Sequence, residues 1–205
     1  MNVIKQPNFI IFGKNSIDEF NFPKGCLVIT SKGAKARGWL DRFKLKNYYI
    51  FDKVEPNPSI EIIDEIISDF RDSNFSHVIG LGGGSSLDVA KFVAFKLKKF
   101  KILIPTTFGS GSEVTRISVL KVNGKKQSFH DDGLFADIAI IDSQFLENSS
   151  QDIIKNSAID ALAQCSEAYD SKIGNNYTKF LCKKAFDVLE NGIMNEKYED
   201  LAIGS

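Results

Sequence analysis

The sequence predicts an α/β fold, with a mainly parallel sheet followed by the start of an all-helical region, and three observations lead to it. Five short β-rich segments alternate with helical patterns over the first two thirds of the chain, which is typical of parallel sheets. Beyond residue 149 these segments cease and apolar residues recur at helical spacing. The chain has 205 residues, 43% of them hydrophobic, so it can form a large core without disulfides or a structural metal.

The strand candidates are short runs of branched and aromatic residues bounded by turn residues. They are residues 26–30, 48–51, 77–81, 101–105 and 136–142.

Two local patterns predict how these strands are connected. A Pro-Asn-Pro-Ser turn at residues 56–59 precedes isoleucines that recur on one helical face, which predicts a helix from Ser59 to about Asp72. The Asn123-Gly124 pair tolerates the positive φ angles of a tight hairpin, so residues 116–122 are predicted to be an antiparallel excursion from the sheet.

The change of pattern predicts two domains, an α/β domain in residues 1–146 and the first helices of a helical domain in residues 147–205. The second segment is too short for a core of its own. We therefore expect either that it packs on the sheet domain or that the natural protein continues beyond it. Residues 197–205 show only weak organisation in the sequence.

Charge and composition exclude several classes of protein. Lys+Arg and Asp+Glu number 26 each, so no global field attracts nucleic acid or an anionic membrane surface. The sequence contains neither a run of 18 apolar residues nor a signal-peptide pattern at its start. Cys26, Cys165 and Cys182 lack CxxC spacing, which favours three semi-buried thiols in a reducing compartment. We expect a cytoplasmic protein without nucleic-acid or membrane partners.

A glycine-rich segment at residues 80–88 follows one strand candidate and precedes a predicted helix. Glycines let a phosphate approach the backbone, and the N-terminus of the helix offers N–H groups to a diphosphate. The segment is neither the standard dinucleotide fingerprint, since Ser85 stands where its last glycine would be, nor a P-loop. The alternative is a glycine-rich turn that serves only the chain crossover.

A second polar loop, residues 105–115, follows the next strand candidate. Loops that leave the carboxyl ends of adjacent parallel strands line one crevice, so both loops would face the same ligand. Taken alone, this segment is equally consistent with a flexible Ser/Gly loop.

Asp160 and Gln164 lie four residues apart on a predicted helix, so both side-chain oxygens project from one face. They could share a cation or a substrate, although two ligands do not complete a metal site. The alternative is a solvated or capping pair.

These segments, in this order and spacing, resemble the iron-type (metal-dependent) alcohol dehydrogenase family, whose superfamily includes the dehydroquinate synthases. The matching pieces are Phe12-Gly13, the turn at residues 56–59, GGGSSLDVAK at 82–91, PTTFGSGSEVT at 105–115, the strand at 136–142 and IDALAQCSEAY at 159–169. The resemblance implies a Rossmann-like nucleotide-binding domain, a helical domain, and a cleft for NAD or NADP and a divalent metal such as Fe or Zn.

The resemblance also implies roles for individual residues. Gly83, Gly84 and Ser85 would hold the pyrophosphate. The remaining coenzyme ligands would be Thr106, Thr107 and Ser110 on the phosphate and ribose side, and Lys126 at the nicotinamide ribose. Asp160 and Gln164 would contribute to a metal that polarises the substrate oxygen, whereas Asp88 and Glu113 would be architectural. A homodimer through the N-terminal edge is a further implication.

Three departures from the family pattern matter. Ser31 replaces an Asp that commonly binds the adenosine ribose, and Lys32, Lys35 and Arg37 follow it, which favours the 2′-phosphate of NADP unless this is only a solvated basic turn. Gln164 replaces a metal-binding His, as in members that resemble phosphonoacetaldehyde reductases, a subgroup that residues 125–132 also resemble.

The family's other metal-binding histidines have no counterpart in this chain. His77 opens a strand and His130 is expected in the loop after the hairpin, so neither can substitute for them. The sequence thus predicts an oxidoreductase for small aldehydes and alcohols, and the alternative is a nucleotide-binding fragment without turnover. A lyase of the dehydroquinate synthase kind is disfavoured, and a Ser-His-Asp hydrolase is excluded because no G-x-S-x-G elbow occurs.

Overall fold

The computed structural model describes residues 3–205 and contains a six-stranded sheet with an attached hairpin. The strands are β1 (Phe9–Phe12), β2 (Cys26–Ile29), β3 (Tyr49–Phe51), β4 (His77–Gly82), β5 (Phe100–Pro105), β6 (Ile117–Val122), β7 (Lys125–His130) and β8 (Ile138–Ile141). The sheet order is β1-β8-β5-β4-β2-β3, and every neighbouring pair is parallel. The predicted α/β class is confirmed, and so are the five predicted strands, to within two residues at each end.

Strand β1 was missed by the sequence analysis. It has only four residues and lies at the edge of the sheet, where most of its side chains are exposed. An edge strand of this kind carries neither the alternation nor the buried apolar run from which strands are predicted.

Helices cover both faces of the sheet and make up the last third of the chain. They are α1 (Ser16–Glu19), α2 (Lys32–Ala36), α3 (Glu61–Asp69), α4 (Gly84–Leu97), α5 (Gln144–Glu147), α6 (Gln151–Asp170), α7 (Asn176–Met194) and α8 (Tyr198–Gly204). Helix α3 is shorter than predicted, because Ser59 forms a β-bridge with Lys121 instead of capping the helix.

The hairpin β6–β7 is antiparallel, as predicted, and turns at Asn123 and Gly124 with φ angles of 51° and 77°. It is attached to the turn before α3, since Ile60 N donates to Lys121 O and Lys121 N donates to Pro58 O. The predicted position of His130 was wrong: the residue ends β7 and does not lie in the following loop.

Two apolar clusters, one on each face of the sheet, follow from the two-residue period of the strands. Leu27 and Ile29 of β2 point into the cluster beneath α3 and α4, whereas Cys26 and Val28 point into the cluster that contains Trp39. The thiol of Cys26 is buried, and burial raises its pKa to about 11. All three cysteines are free. Cys165 and Cys182 are partly exposed as expected, but the prediction of a semi-buried thiol was wrong for Cys26, because β2 lies inside the sheet with both of its faces covered.

A third cluster joins the helices α6–α8 to the sheet domain. It contains Phe108, Ile141 and Leu146 together with Leu189 and Leu201 from the helices. The helices therefore pack on the sheet domain, which was one of the two expected outcomes. The expectation of weak organisation at residues 197–205 was wrong, because α8 forms there and buries Leu201. Within residues 3–205, no helix is long and apolar enough to cross a membrane.

Candidate functional site

The glycine-rich segment forms a turn between β4 and α4 that leaves two amides without partners. Gly82 has a φ of 143°, a conformation that a side chain would strain, and Gly83 caps α4 without any side-chain hydrogen bond. The N–H groups of Ser86 and Leu87 donate to Gly83 O, whereas those of Gly84 and Ser85 find no acceptor among the described residues. A helix N-terminus with free N–H groups carries a partial positive charge and suits an anion.

The loop after β5 lies directly against this turn, as the sequence predicted for two loops at one sheet edge. Thr106 N donates to Gly82 O at 3.0 Å. A Cβ at Gly83 would stand 3.1 Å from Thr107 Oγ1, and one at Gly84 would stand 2.9 Å from Ser110 Oγ. These glycines therefore let the two loops approach closely and form a cradle, which is lined by the two free amides of the turn and by two hydroxyl groups of the loop after β5.

The turn before α3 closes another side of this cradle, which the sequence analysis did not foresee. Asn57 N donates to Ser85 Oγ at 3.2 Å, and Asn57 itself has a positive φ of 53°. The Pro-Asn-Pro-Ser pattern indicated a turn, but its contact with a residue 28 positions later depends on how α3 packs.

Helix α6 brings Asp160 and Gln164 to the same loop. Gln164 Nε2 donates to Gly109 O at 3.0 Å. A Cβ at Gly109 would lie 3.1 Å from Asp160 Oδ2 and 2.7 Å from Ser157 O, so only glycine allows this approach. Asp160 and the amide oxygen of Gln164 offer two oxygen ligands, and within residues 3–205 no group of three or more His, Cys, Asp or Glu residues is arranged so that it could hold a metal ion. The described residues therefore do not complete a divalent-metal site.

Two buried charged residues of α4 hold the loop after β5 in place. Asp88 accepts from Ser112 Oγ at 2.6 Å and from Val119 N at 3.0 Å. Lys91, fully buried, donates to Ser112 O at 2.9 Å and lies 3.0 Å from Asp88. Burial lowers the pKa of Lys91, opposed by the charge of Asp88, and burial raises the pKa of Glu113. The contacts of Asp88 and Lys91 connect α4 to the loop after β5 and to the hairpin.

The side chains of the basic turn after β2, residues 31–37, form hydrogen bonds and ion pairs with other residues of the protein, which the sequence did not indicate. Ser31 Oγ accepts from Ala34 N at 3.3 Å and caps α2. Lys35 forms an ion pair with Asp52 at 2.6 Å, and the guanidinium of Arg37 lies 5.0 Å from the ring centroid of Trp39. The sequence analysis did not name Asp52 as a candidate. Its position directly after a strand candidate could have indicated a ligand-facing residue at the edge of the sheet.

Two candidate residues remain, Lys126 and His77. Lys126 is exposed on β7 opposite Lys121, and no hydrogen bond or ion pair of the described residues joins it to the cradle. His77 begins β4, at the opposite end of that strand from the cradle, and its Nδ1 lies 2.7 Å from Ser76 Oγ. Burial lowers the pKa of His77.

Comparison with known proteins gives one family. The model of the iron-containing alcohol dehydrogenases matches residues 7–143. The chain is 34% identical to 4-hydroxybutyrate dehydrogenase of Clostridium kluyveri, covering 72% of this chain and 47% of that protein. It is 38% identical to long-chain-alcohol dehydrogenase 1 of Geobacillus thermodenitrificans, covering 72% and 44%. The chain thus spans about half the length of these curated relatives.

The fold has a close structural counterpart. Sulfoacetaldehyde reductase from Bifidobacterium kashiwanohense, solved in complex with NAD+, superposes with a TM-score of 0.86 at 25% identity. The match covers 100% of this chain and 65% of that one. The six-stranded arrangement and the helices α6–α8 are therefore both shared with a solved dehydrogenase.

Proposed function

This chain belongs to the iron-containing alcohol dehydrogenase family, and from that premise we propose that it binds NAD or NADP for the interconversion of a small aldehyde and an alcohol. The observation that carries the proposal is the cradle, in which the N–H groups of Gly84 and Ser85 are free at the start of α4, next to the loop after β5. A bound nicotinamide coenzyme supplies or accepts hydride. The chain's own residues bind and orient it.

We assign the diphosphate of the coenzyme to Gly83, Gly84 and Ser85, because the N–H groups of Gly84 and Ser85 are free at the N-terminus of α4 and the two glycines carry no side chain over the backbone. Thr106, Thr107 and Ser110 line the other side and would hold the phosphate and ribose portion. Lys126 remains a proposed ligand of the nicotinamide ribose. Ser31 is proposed to lie near the adenosine ribose, since it follows β2, the strand next to β4.

The coenzyme-binding proposal is tested by titrating the chain with NADH and NADPH. Binding should raise the melting temperature in proportion to RT ln(1 + [L]/Kd) and change the fluorescence of the reduced nicotinamide. If neither coenzyme changes either signal, the proposal fails.

For the substrate we propose a short polar aldehyde, with phosphonoacetaldehyde-like compounds as the first to try. Support comes from the resemblance of residues 125–132 to that subgroup and from the sulfoacetaldehyde reductase among the structural counterparts. The assay is oxidation of NADPH or NADH with an aldehyde panel, in the presence of added Fe²⁺ or Zn²⁺. A long-chain aldehyde consumed in preference to every short polar one would contradict this assignment.

A second candidate function is coenzyme binding without turnover. It is favoured by one observation, the incomplete metal site at Asp160 and Gln164. An amide oxygen is also a poorer ligand than imidazole for late transition metals, so we propose weak binding of Fe²⁺ or Zn²⁺. Turnover that depends on added metal supports the first function, and coenzyme binding without turnover in any metal supports the second.

We also propose a domain boundary near residue 146 and a homodimer through β1. Strand β1 pairs with β8 on one side only, and Phe9 and Phe12 are exposed along it. An unprotected apolar edge strand favours association with another strand. Light scattering of the wild type and of Phe12→Lys tests the dimer, which the charged residue should weaken.

A further inference from the structure

The carboxyl ends of three strands lie side by side next to the cradle. Thr30, directly after β2, donates through Oγ1 to Leu81 O of β4 at 2.8 Å. Its backbone N–H donates to Phe51 O at the end of β3 at 2.9 Å, and Val54 N donates back to Thr30 O. Asp52 therefore follows β3 at the same sheet edge, two strand spacings or roughly 10 Å from the end of β4.

Asp52 and Lys35 form a charge pair at this edge. Lys35 Nζ lies 2.6 Å from Asp52 Oδ2, and the side chains are 52% and 26% exposed. The hydrogen bond from Lys35 is the main cause that holds the pKa of Asp52 below its usual value, and the charges of Lys35 and Lys32 add to it. The carboxylate is thus ionised at neutral pH and is oriented toward the basic turn.

A dinucleotide whose diphosphate rests on the free amides places its adjoining ribose along this edge. In open parallel sheets such ligands bind outside the carboxyl ends of the strands, and the ribose hydroxyls meet the end of the strand next to the diphosphate. Strand β4 has two neighbours, β5 and β2. The loop after β5 lies against the glycine turn itself, so the ribose is assigned to the end of β2, which is flanked by Ser31, Lys35 and Asp52. The two nicotinamide coenzymes differ only at this ribose, in a 2′-hydroxyl or a 2′-phosphate.

We propose that Asp52 determines coenzyme specificity by lowering the affinity for the 2′-phosphorylated coenzyme relative to the unphosphorylated one. The proposal rests on the proposed function, since it requires a dinucleotide in the cradle. Asp52 acts in two ways: it engages Lys35, which a phosphate would otherwise bind, and its negative charge repels that phosphate. Asp52 thus opposes the NADP preference that Ser31 and the basic turn favour.

The other charges around this turn do not replace Asp52. Lys53 lies 3.7 Å from Glu65, and Arg37 packs over Trp39. Lys32 takes part in no ion pair within residues 3–205, so its charge is available in every variant. Removing the charge of Asp52 therefore adds one cation, Lys35, to those that a phosphate can engage.

The test measures dissociation constants of NADPH and NADH by calorimetric titration of the 205-residue chain. The variants are Asp52→Asn, Lys35→Gln and the double variant, with Asp69→Asn, an exposed carboxylate at the end of α3, as the matched control. For Asp52→Asn we expect the affinity for NADPH to rise on the order of three- to fivefold, because an interaction between partly exposed charges has this magnitude. The affinity for NADH should not change. Lys35→Gln should weaken NADPH alone, and Asp69→Asn should change neither coenzyme.

The double variant separates the two effects of Asp52. Because Lys35 is absent there, the benefit of removing the carboxylate should be smaller than in the wild-type background. If both coenzymes bind and Asp52→Asn leaves the ratio of the dissociation constants of NADPH and NADH unchanged, then Asp52 does not determine specificity, whereas the proposed function stands. A loss of NADH affinity with NADPH unchanged would make Asp52 a ribose ligand and overturn the proposal. If the wild type binds neither coenzyme, the proposed function itself fails.

Discussion

Gly84→Ala is the substitution that separates the binding role of the cradle from its role in folding. Gly84 is the first residue of α4 and has no positive φ, so alanine fits the backbone. The new Cβ would stand 2.9 Å from Ser110 Oγ, between the two loops. We expect the variant to fold normally and to lose coenzyme affinity.

The expected change in stability is small because two effects oppose each other. Alanine in a helix is favoured over glycine by about 0.5–1 kcal/mol. Moving Ser110 away from the Cβ costs about 0.5–1.5 kcal/mol if its χ1 angle leaves a rotamer minimum. The net change in the free energy of unfolding is therefore within about 1 kcal/mol, a shift in melting temperature of roughly 2–4 °C.

The expected change in affinity is much larger. A hydrogen bond to a charged group contributes about 1.5–3 kcal/mol, so displacing the diphosphate from one amide should weaken binding by at least about tenfold. Calorimetric titration with NADH and NADPH measures the affinity, urea unfolding measures the stability, and Ser68→Ala on the exposed face of α3 is the control. Unchanged affinity in a normally folded Gly84→Ala chain would refute the placement of the diphosphate on this turn.

Three other substitutions test the supporting structure. The buried carboxylate of Asp142 accepts from three backbone N–H groups and pairs with Arg42, so Asp142→Ala should cost about 3 kcal/mol in urea unfolding; a cost below about 1 kcal/mol would contradict that role. Burial raises the pKa of Glu113 above 4.5, so the folded state binds more protons than the unfolded state just above pH 4.5, and stability falls as pH rises through this window. Glu113→Gln should therefore gain stability relative to the wild type as the pH rises above 4.5, with the gain vanishing below pH 4.5, and melting curves recorded across pH measure it. Leu189 is fully buried among α6–α8, so Leu189→Ala should cost about 2–5 kcal/mol, whereas Leu181→Ala on the exposed face of α7 should cost little.

Local chemistry explains what could be predicted from the sequence. The Asn123-Gly124 hairpin and the glycine-rich turn were predictable because positive φ angles restrict residue choice at each position. Helix α3 was predictable from isoleucine spacing, but its first turn was not, since Ser59 pairs with a strand more than sixty residues away. Strand β1 was missed because its partner, β8, lies more than 120 residues away in the chain. Helix α8 was missed because its burial depends on close packing against α7, where Gly192 meets Leu201 and Leu189 meets Gly204.

The sequence by itself determined the α/β class, five of the six strands of the sheet, the two polar loops at one sheet edge, and the family to which the chain belongs. These follow from periodicity and from motifs that are contiguous in the chain. Only the tertiary structure decided three contacts. Asn57 donates a hydrogen bond to Ser85, and Lys35 forms an ion pair with Asp52. Gly109 lies against Asp160 and accepts a hydrogen bond from Gln164. Such contacts join residues on different elements, and their distances depend on how helices and strands pack, which no local pattern of residues specifies.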